Sequence, residues 1–468
     1  MSGSYAGLRV LVAGAGASGE AAARALLGLG ALVTVADRVA SPRTAALAAA
    51  GARVELGLAA PPEGTGLVVT SPGWRPDAPL LVAAAAAGLE VIGEVELAWR
   101  LGVAADRATP WLAVTGTNGK TTTVRMLESM LRAAGLRAVA AGNVGLPAVA
   151  AVLTDPPYDV LGVELSSFQL HWSPSPRPVA AAVLNVAPDH LDWHGSLAAY
   201  AADKARIYAG DPVAVFNADD EWSTRLAGEL PRRVGCTLSR PGRGQLGVED
   251  GALVDRAFGA AGHPGRPAGP AVSGVELAAV GDVRPAGPHN VANALAAAAL
   301  ARAYGVPAAA VGAGLRGFVP DAHRSAPVGS VGGVSYVDDS KATNPHAAAA
   351  SLAGYPRVVW IAGGLLKGAP VDGLVAAVCP RLVGAVLLGA DRAAIRDAVA
   401  RHAPGLPVVE VARTDDGAMG EVVRAAAGLA RPGDTVLLAP AAASMDMFTD
   451  YAARGDAFAA AVRALDPP

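Results

Sequence analysis

Short unbroken apolar runs alternate along this chain with longer segments whose apolar residues recur at helical spacing, and glycines cluster at the joins. "LRVLVAGAGASGEAAARALLGLG" (8–30) reads as strand, glycine turn and helix. "ALVTVADR" is a second strand that ends at Asp37, and a third step closes at "GLVVTSPGW". The pattern restarts at Trp111 with "WLAVTGTNGKTTTVRMLESMLRAAG", and strands follow at "DVLGVELSS" and "VAAAVLNVAPDH". "HNVANALAAAALARAYG" is a helix. After "FVPDAHR" a third series begins, with strands "RVVWIAGG", "GAVLLGA", "LPVVEVA" and "DTVLLAP". Alternating strands and helices of this kind build parallel sheets covered by helices. The expected fold is therefore α/β in three domains. A Rossmann-like N-terminal domain spans 1–100. A central P-loop-type mononucleotide-binding domain with a parallel sheet spans 101–319. A Rossmann-like C-terminal domain spans 320–468. The Gly- and Pro-rich stretch Ser239–Pro270 reads as a loop with short strands rather than a core element.

Bulk composition narrows the function classes. The 468 residues are 52% hydrophobic and 17% charged, which suits a large packed core. A net charge of −3 with no basic block argues against a nucleic-acid partner. Two distant cysteines, Cys236 and Cys379, fit a reducing compartment and argue against a disulfide framework or a thiolate zinc site. The N-terminus has no basic segment ahead of its apolar run, so no signal peptide is read there. The uncharged stretch Ala138–Thr154 is broken by Gly142, Asn143, Gly145 and Pro147 and suits a loop better than a membrane helix. A cytoplasmic, monomeric protein without membrane insertion is expected.

The chemistry concentrates in "VTGTNGKTTT" (114–123). Gly116, Thr117, Asn118 and Gly119 let backbone N–H groups approach phosphate oxygens, and the following helix adds its positive end. Lys120 can reach a β- or γ-phosphate, Thr121 can ligate Mg²⁺, and Thr122 continues the loop. The spacing G-x-x-G-K-T is shorter than the usual P-loop. Glu164 ends one following strand, and Asp189, His190 and Asp192 end the next, on the side where open α/β sheets bind ligands. A carboxylate at Glu164 suits a hydrated Mg²⁺. Singly, Glu164 could equally cap a helix and His190 could be a satisfied structural histidine; together they favour a metal-assisted phosphate site. The N-terminal turn "GAGASG" (14–19), with Asp37 beyond it, also fits a dinucleotide fingerprint. A nicotinamide dehydrogenase is therefore a rival reading, though it leaves the phosphate loop unexplained. A P-loop protein without catalysis is another.

The stretches "GTNGKTT", "AGNVGLP", "ELSSFQL", "LNVAPDHLD", "HNVANALAA", "HR" (323–324), "DDSKATNP" and "APAAASMDMF" decide more. In this order, and over essentially the whole chain, they resemble the Mur ligases, and within them the glutamate-adding branch. The related folylpolyglutamate synthases share the short loop, but the N-terminal nucleotide-type domain disfavours them; the L-alanine-adding Mur ligase remains an alternative. The "DNPR" signature of the diaminopimelate- or lysine-adding relative is absent as such.

The resemblance implies an ATP-dependent amide ligase that uses two Mg²⁺ ions and acts through an acyl phosphate. Its substrates would be UDP-N-acetylmuramoyl-L-alanine and D-glutamate, in peptidoglycan precursor synthesis. The first domain would bind the UDP moiety, the central one ATP, and the third would close over the site with the amino acid. It implies metal roles for Thr121, Glu164, His190 and Lys204, the last as a carbamate formed with CO₂; a surface lysine is the ordinary reading of Lys204. Lys120 with Thr121, and Asn293, Arg324, Asp339 and Lys341, would contact ATP. Ala17 and Ser18 would face the diphosphate, Asp37 the uracil, Arg38 the uridine, and Ser71 to Gly73 would close that pocket. Asn143 would contact the sugar nucleotide, with Ser166 and Gln169 along its path. Thr343, Lys367 and Ser444 would hold glutamate, with Tyr451 near. Ser444 is read as starting a helix, where a carboxylate or a plain N-cap fits equally. Many members carry an acidic residue before the lysine of the third domain; here Leu365 and Leu366 stand there.

Overall fold

A computed structural model describes residues 5–104, 109–258, 274–415 and 417–465. It contains two compact units. One comprises 1–282 and 292–318; the other comprises 283–291 and 319–468.

The first unit holds two sheets. In one, β1 (Arg9–Ala13), β2 (Leu32–Asp37), β3 (Arg53–Leu56), β4 (Leu67–Thr70) and β5 (Val91–Gly93) run parallel in the order β3-β2-β1-β4-β5. Leu11, Val12, Val35 and Val68 are fully buried, as strands covered on both faces require. The order reverses direction at β1, so the turn after β1 lies at a switch point, the place where such sheets take ligands.

The second sheet contains β6 (Trp111–Thr115), β7 (Ala138–Gly142), β8 (Val160–Glu164), β9 (Ala180–Val183), β10 (Val213–Asn217), β11 (Arg233–Cys236), β12 (Gln245–Glu249), β13 (Ala252–Asp255) and β14 (Val275–Ala279). Their order is β14-β13-β12-β11-β10-β9-β6-β8-β7. β6 lies between β8 and β9, a second switch point, and all pairings from β7 to β12 are parallel. β12–β13 and β13–β14 are antiparallel, so the sheet is mixed rather than parallel throughout. This corrects the reading of Ser239–Pro270 as lying outside the core: Leu246 and Leu253 are fully buried, because the hairpin extends the sheet and packs apolar side chains despite its turn-rich composition. The last part of that stretch, from 259, lies outside the described residues. Buried Arg302, in the helix Pro288–Tyr304, pairs with buried Asp255 at 2.9 Å and fixes β13. The stretch Ala138–Thr154 resolves into β7, a loop and the short helix Ala148–Val152. Among the described residues no helix is long and apolar enough to cross a membrane.

The second unit holds β15 (Ala326–Val331), β16 (Val334–Asp338), β17 (Val358–Gly363), β18 (Leu382–Leu388), β19 (Val408–Glu410) and β20 (Thr435–Leu438) in the order β15-β16-β20-β17-β18-β19. Among the described residues of this unit, only the β15–β16 pair is antiparallel. The four strands expected from the apolar runs are β17 to β20. β15 and β16 were not legible as strands.

Candidate active site

β6 delivers the chain at Thr115, and the helix Lys120–Ala133 begins four residues after Gly116. Gly119 has φ of 85°, and a Cβ on it would lie 2.3 Å from Oδ1 of Asn293. The glycine therefore allows Asn293 to approach the loop. Asn185, just past β9, clamps the loop: its Oδ1 accepts from the Asn118 N–H at 2.9 Å, and its amide donates to the Asn118 carbonyl at 3.1 Å. The Thr117 hydroxyl accepts from the Ala187 N–H and lies 3.2 Å from the Tyr200 hydroxyl. A preorganised cradle results, held from the side by the segment just past β9.

Two lysines converge on this cradle. Lys120 Nζ donates to the carbonyls of Gly116 and Thr117 at 2.8 and 2.9 Å. Lys204 Nζ donates to the same Gly116 carbonyl at 2.9 Å and lies 4.3 Å above the Tyr200 ring. Lys204 is only 1% exposed. Loss of water, and then the Lys120 charge beside it, hold its amine well below the usual lysine range.

Carboxylate chemistry lies alongside. Glu164, 1% exposed, ends β8. Its Oε2 accepts from the Thr121 hydroxyl at 2.8 Å and its Oε1 from the Asn143 amide at 2.7 Å. A Cβ at Gly142 would lie 2.4 Å from the Glu164 carbonyl, so that glycine brings Asn143 within reach. An anionic oxygen and a hydroxyl side by side at a phosphate cradle are a donor set suited to Mg²⁺, which takes one or two carboxylates and completes its shell with water and phosphate. No group of three or more His, Cys, Asp and Glu side chains arranged as a metal cage occurs among the described residues. His190 has φ of 51° and caps the one-turn helix Leu191–His194. Burial holds its imidazole below the ordinary histidine value. Ser166 and Gln169 form a capping box, with Gln169 Oε1 accepting from the Ser166 N–H at 2.9 Å.

The N-terminal turn is built differently. Gly14 has φ of 96°, and a Cβ at Gly19 would lie 1.8 Å from the Gly14 carbonyl oxygen. Asp37 Oδ2 accepts from the Ala15 N–H at 2.7 Å, its Oδ1 accepts from the Arg38 N–H, and the Ser71 hydroxyl donates to the Gly14 carbonyl. Ala17 and Ser18 open a helix whose cap residue, Gly16, supplies no side chain, and Ala17, Arg38 and Gly73 are exposed.

In the second unit, Asp339 accepts from the Ser325 N–H at 3.2 Å, and burial pushes its carboxyl up to about 6, against the pull of Arg324. Lys341 Nζ lies 3.8 Å above the Tyr451 ring, and Thr343 N–H donates to the Lys341 carbonyl. Leu365 and Ala443 exchange backbone hydrogen bonds, which brings the Lys367 loop beside Ser444. Ser444 is buried but does not start a helix. Its carbonyl accepts from the Met447 and Phe448 N–H groups in a single turn, and the next helix starts at Tyr451 behind an Asp450 cap. Ala441 lies in the left-handed region at φ of 61°, and the antiparallel bridge between Leu365 and Ala443 fixes the approach to Ser444. In the same loop, Asp391 Oδ2 accepts from the Leu366 N–H at 2.7 Å.

Sequence reasoning missed Asn185, although it stands within a quoted motif, because its partner lies 67 positions away.

Residues 114–301 match the Mur ligase middle domain, and 323–442 match the Mur ligase glutamate ligase domain. A UDP-N-acetylmuramoylalanine–D-glutamate ligase of Thermobifida fusca is 60% identical over 98% of this chain and 99% of its own. One from Streptomyces coelicolor is 59% identical over the same shares. The chain belongs to the Mur ligase family. Mur ligase folds also appear among solved structures. The UDP-N-acetylmuramate-alanine ligase of Thermotoga maritima matches with TM-score 0.58 and 19% identity, over 97% of this chain and 99% of that one. A pseudomurein peptide ligase type C from Methanothermus fervidus matches with TM-score 0.54 and 18% identity, over 92% and 96%.

Proposed function

We propose that this chain joins D-glutamate to UDP-N-acetylmuramoyl-L-alanine with ATP, in peptidoglycan precursor synthesis in the cytoplasm. The names of relatives about 60% identical over nearly the full length support that substrate pair over L-alanine addition, folate chemistry or a dehydrogenase. The observation that carries the chemistry is the short loop on which Lys120 and Lys204 meet beside Glu164 and Thr121. A carboxylate acylates poorly because oxide does not leave. Transfer of the γ-phosphoryl group to the substrate carboxylate gives an acyl phosphate and ADP. The glutamate amine then attacks the acyl carbon, the C–O bond breaks, and phosphate departs with the proton lost from nitrogen. Such transfers depend on position and field, which the half-buried Lys120 beside buried Glu164 supplies.

In this reading Lys120, Thr121 and Asn293, with Arg324, Asp339 and Lys341, address ATP. Ala17, Ser18, Asp37, Arg38, Ser71 and Gly73 address UDP. Asn143, Ser166 and Gln169 address the sugar–alanine arm. Thr343, Lys367 and Ser444 take glutamate, with Tyr451 near. Glu164 and Thr121 hold one Mg²⁺. His190 and a carbamate on Lys204 serve a second; an ammonium cannot ligate a cation, whereas a neutral amine, the form that burial favours at Lys204, can add to CO₂, forming an N–C bond and releasing a proton.

Phosphate release tests the whole. Release from ATP and Mg²⁺ with UDP-N-acetylmuramoyl-L-alanine should need D-glutamate, and the product should gain one D-glutamyl residue by mass and chiral analysis. Release with the alanine-free nucleotide and L-alanine instead would reject it. Lys204→Ala should be inactive and partly restored by acetate; absence of rescue would sink the carbamate alone.

A further inference from the structure

Beside the phosphate loop lies a second set of buried polar side chains that the reading above leaves unused. The Ser167 hydroxyl, three residues past Glu164, is 3.0 Å from Nε2 of His194. Nδ1 of His194 is 3.0 Å from Oδ2 of Asp203. Nδ1 of His171 lies 3.1 and 3.0 Å from the two Asp203 oxygens, and Arg206 Nε is 3.1 Å from Oδ1. Ser167 and Asp203 are buried, and the His194 side chain is 1% exposed. Asp203 directly precedes Lys204. His194 ends the one-turn helix that His190 caps. Phe168 stacks on His194 with ring planes 4° apart and meets the His190 ring edge-on at 4.8 Å.

An ionised carboxylate only accepts, so the network assigns the His194 proton to Nδ1 and leaves Nε2 to accept from the Ser167 hydroxyl. Serine, histidine and aspartate in this order resemble a nucleophilic triad. Ser167 is only 2% exposed, however, so no acyl group can reach it, and the array is structural in its chemistry. Its location decides its role. A helix of one turn has no stability of its own and takes its orientation from neighbours. Here the His194–Asp203 bond ties that turn to the helix Leu197–Ala205 that carries Lys204, and the Ser167 bond ties it to the segment after Glu164.

We infer that His194 and Asp203 are positioning residues for the proposed ligation: one imidazole holds the segments bearing Glu164, His190 and Lys204 in a common register around the phosphate loop. This rests on the ligase reading.

Two changes at His194 separate hydrogen bonding from packing. His194→Asn keeps a donor where Nδ1–H stood but loses the ring. His194→Phe keeps a ring to stack on Phe168 but loses both bonds. For both, kcat and KM for ATP and D-glutamate are measured beside Tm. Misplacement by about 1 Å is worth about 10²-fold, so His194→Phe should lose about that factor in kcat with KM values nearly unchanged, a pattern of lost transition-state rather than ground-state binding. His194→Asn should fall within about tenfold of wild type. The reverse order, or a loss confined to Tm, overturns the proposal. Asp203→Asn guards against misfolding: it is isosteric, and it should also lower kcat with KM held. Unchanged kcat in a folded Asp203→Asn protein would also overturn the proposal. Failure of the wild type to release phosphate would instead reject the ligase reading itself.

Discussion

The first unit contains two glycine turns of the same local design, one after β1 and one after β6, and they have opposite electrostatics. Both follow a central strand at a switch point, and both feed a helix. The β1 turn carries no lysine. A carboxylate, Asp37, orders its backbone through the Ala15 N–H. The β6 turn gathers two lysine amines on one carbonyl and places a buried carboxylate and hydroxyl at their side. A turn that only holds a diphosphate needs aimed N–H groups and a helix end, which neutral backbone provides. A turn that must steady charge moving between oxygens needs fixed charges removed from water. The shared pattern of glycines reports the first requirement; the side chains around it report the second.

The largest effect should come from removing the charge unique to the β6 turn. Lys120→Ala should lower kcat by about 10³-fold or more, in the range seen when a group stabilising transferred charge is lost, with Tm nearly unchanged. Lys120 satisfies two loop carbonyls, and water can replace it there because the side chain is only partly buried. Near-normal turnover would erase the distinction between the two turns.

Glycine replacement probes the same contrast through packing. A methyl at Gly19 would meet a backbone carbonyl that cannot step aside, so Gly19→Ala should destabilise by about 3 kcal/mol. A methyl at Gly119 would meet the end of the Asn293 side chain rather than backbone, and at φ of 85° an alanine adds left-handed strain of about 1 kcal/mol. Gly119→Ala should therefore raise KM for ATP with a smaller fall in Tm. Denaturant melts and kinetics on both variants check this, and equal stability losses would contradict it.

A buried carboxyl outside both turns shows what burial does to an acid that has no cation beside it. Glu94 starts the helix Glu94–Ala104, between the two sheets in sequence, and its Oε1 accepts from the Val149 N–H at 2.6 Å while Oε2 has no hydrogen-bond partner among the described residues. Burial raises its carboxyl from 4.5 to about 7. The folded state therefore holds the proton more tightly than the unfolded chain. The stability this adds is complete below the unfolded value and is lost as pH rises through about 7. Between about pH 5 and pH 8 the loss should be roughly 2 kcal/mol, and Glu94→Gln should flatten that slope in denaturant melts. An unchanged slope would mean that Glu94 is not the titrating group.

Much of this was legible in sequence, for identifiable reasons. Both turns were, because glycine spacing and the apolar run before it are local. The strands β17 to β20 were, because each is a continuous apolar block. β12 and β13 were read as peripheral because glycine and proline between short strands look the same whether or not the hairpin joins a sheet; only the pairing of β11 with β12 decides. Ser444 was assigned to a helix start because a serine after a strand is the usual signal, and the Leu365 bridge overrides it. The clamp by Asn185 and the His194–Asp203 tie depend on contacts between segments, which local pattern does not encode.

The smallest expected effect falls on the turn that lacks lysine. Asp37 uses both oxygens, one on Ala15 N–H and one on Arg38 N–H. Asparagine at this position keeps one acceptor and turns its amide donors toward the other N–H, so one bond is replaced by a mild repulsion worth about 1 kcal/mol. The turn should loosen without losing its fold. Asp37→Asn is expected to raise KM for UDP-N-acetylmuramoyl-L-alanine by about tenfold, with kcat within about twofold, since ground-state and transition-state binding weaken together. A fall in kcat comparable to that of Lys120→Ala would show that the β1 turn also acts on the reacting groups, and the division of labour between the two turns would fail.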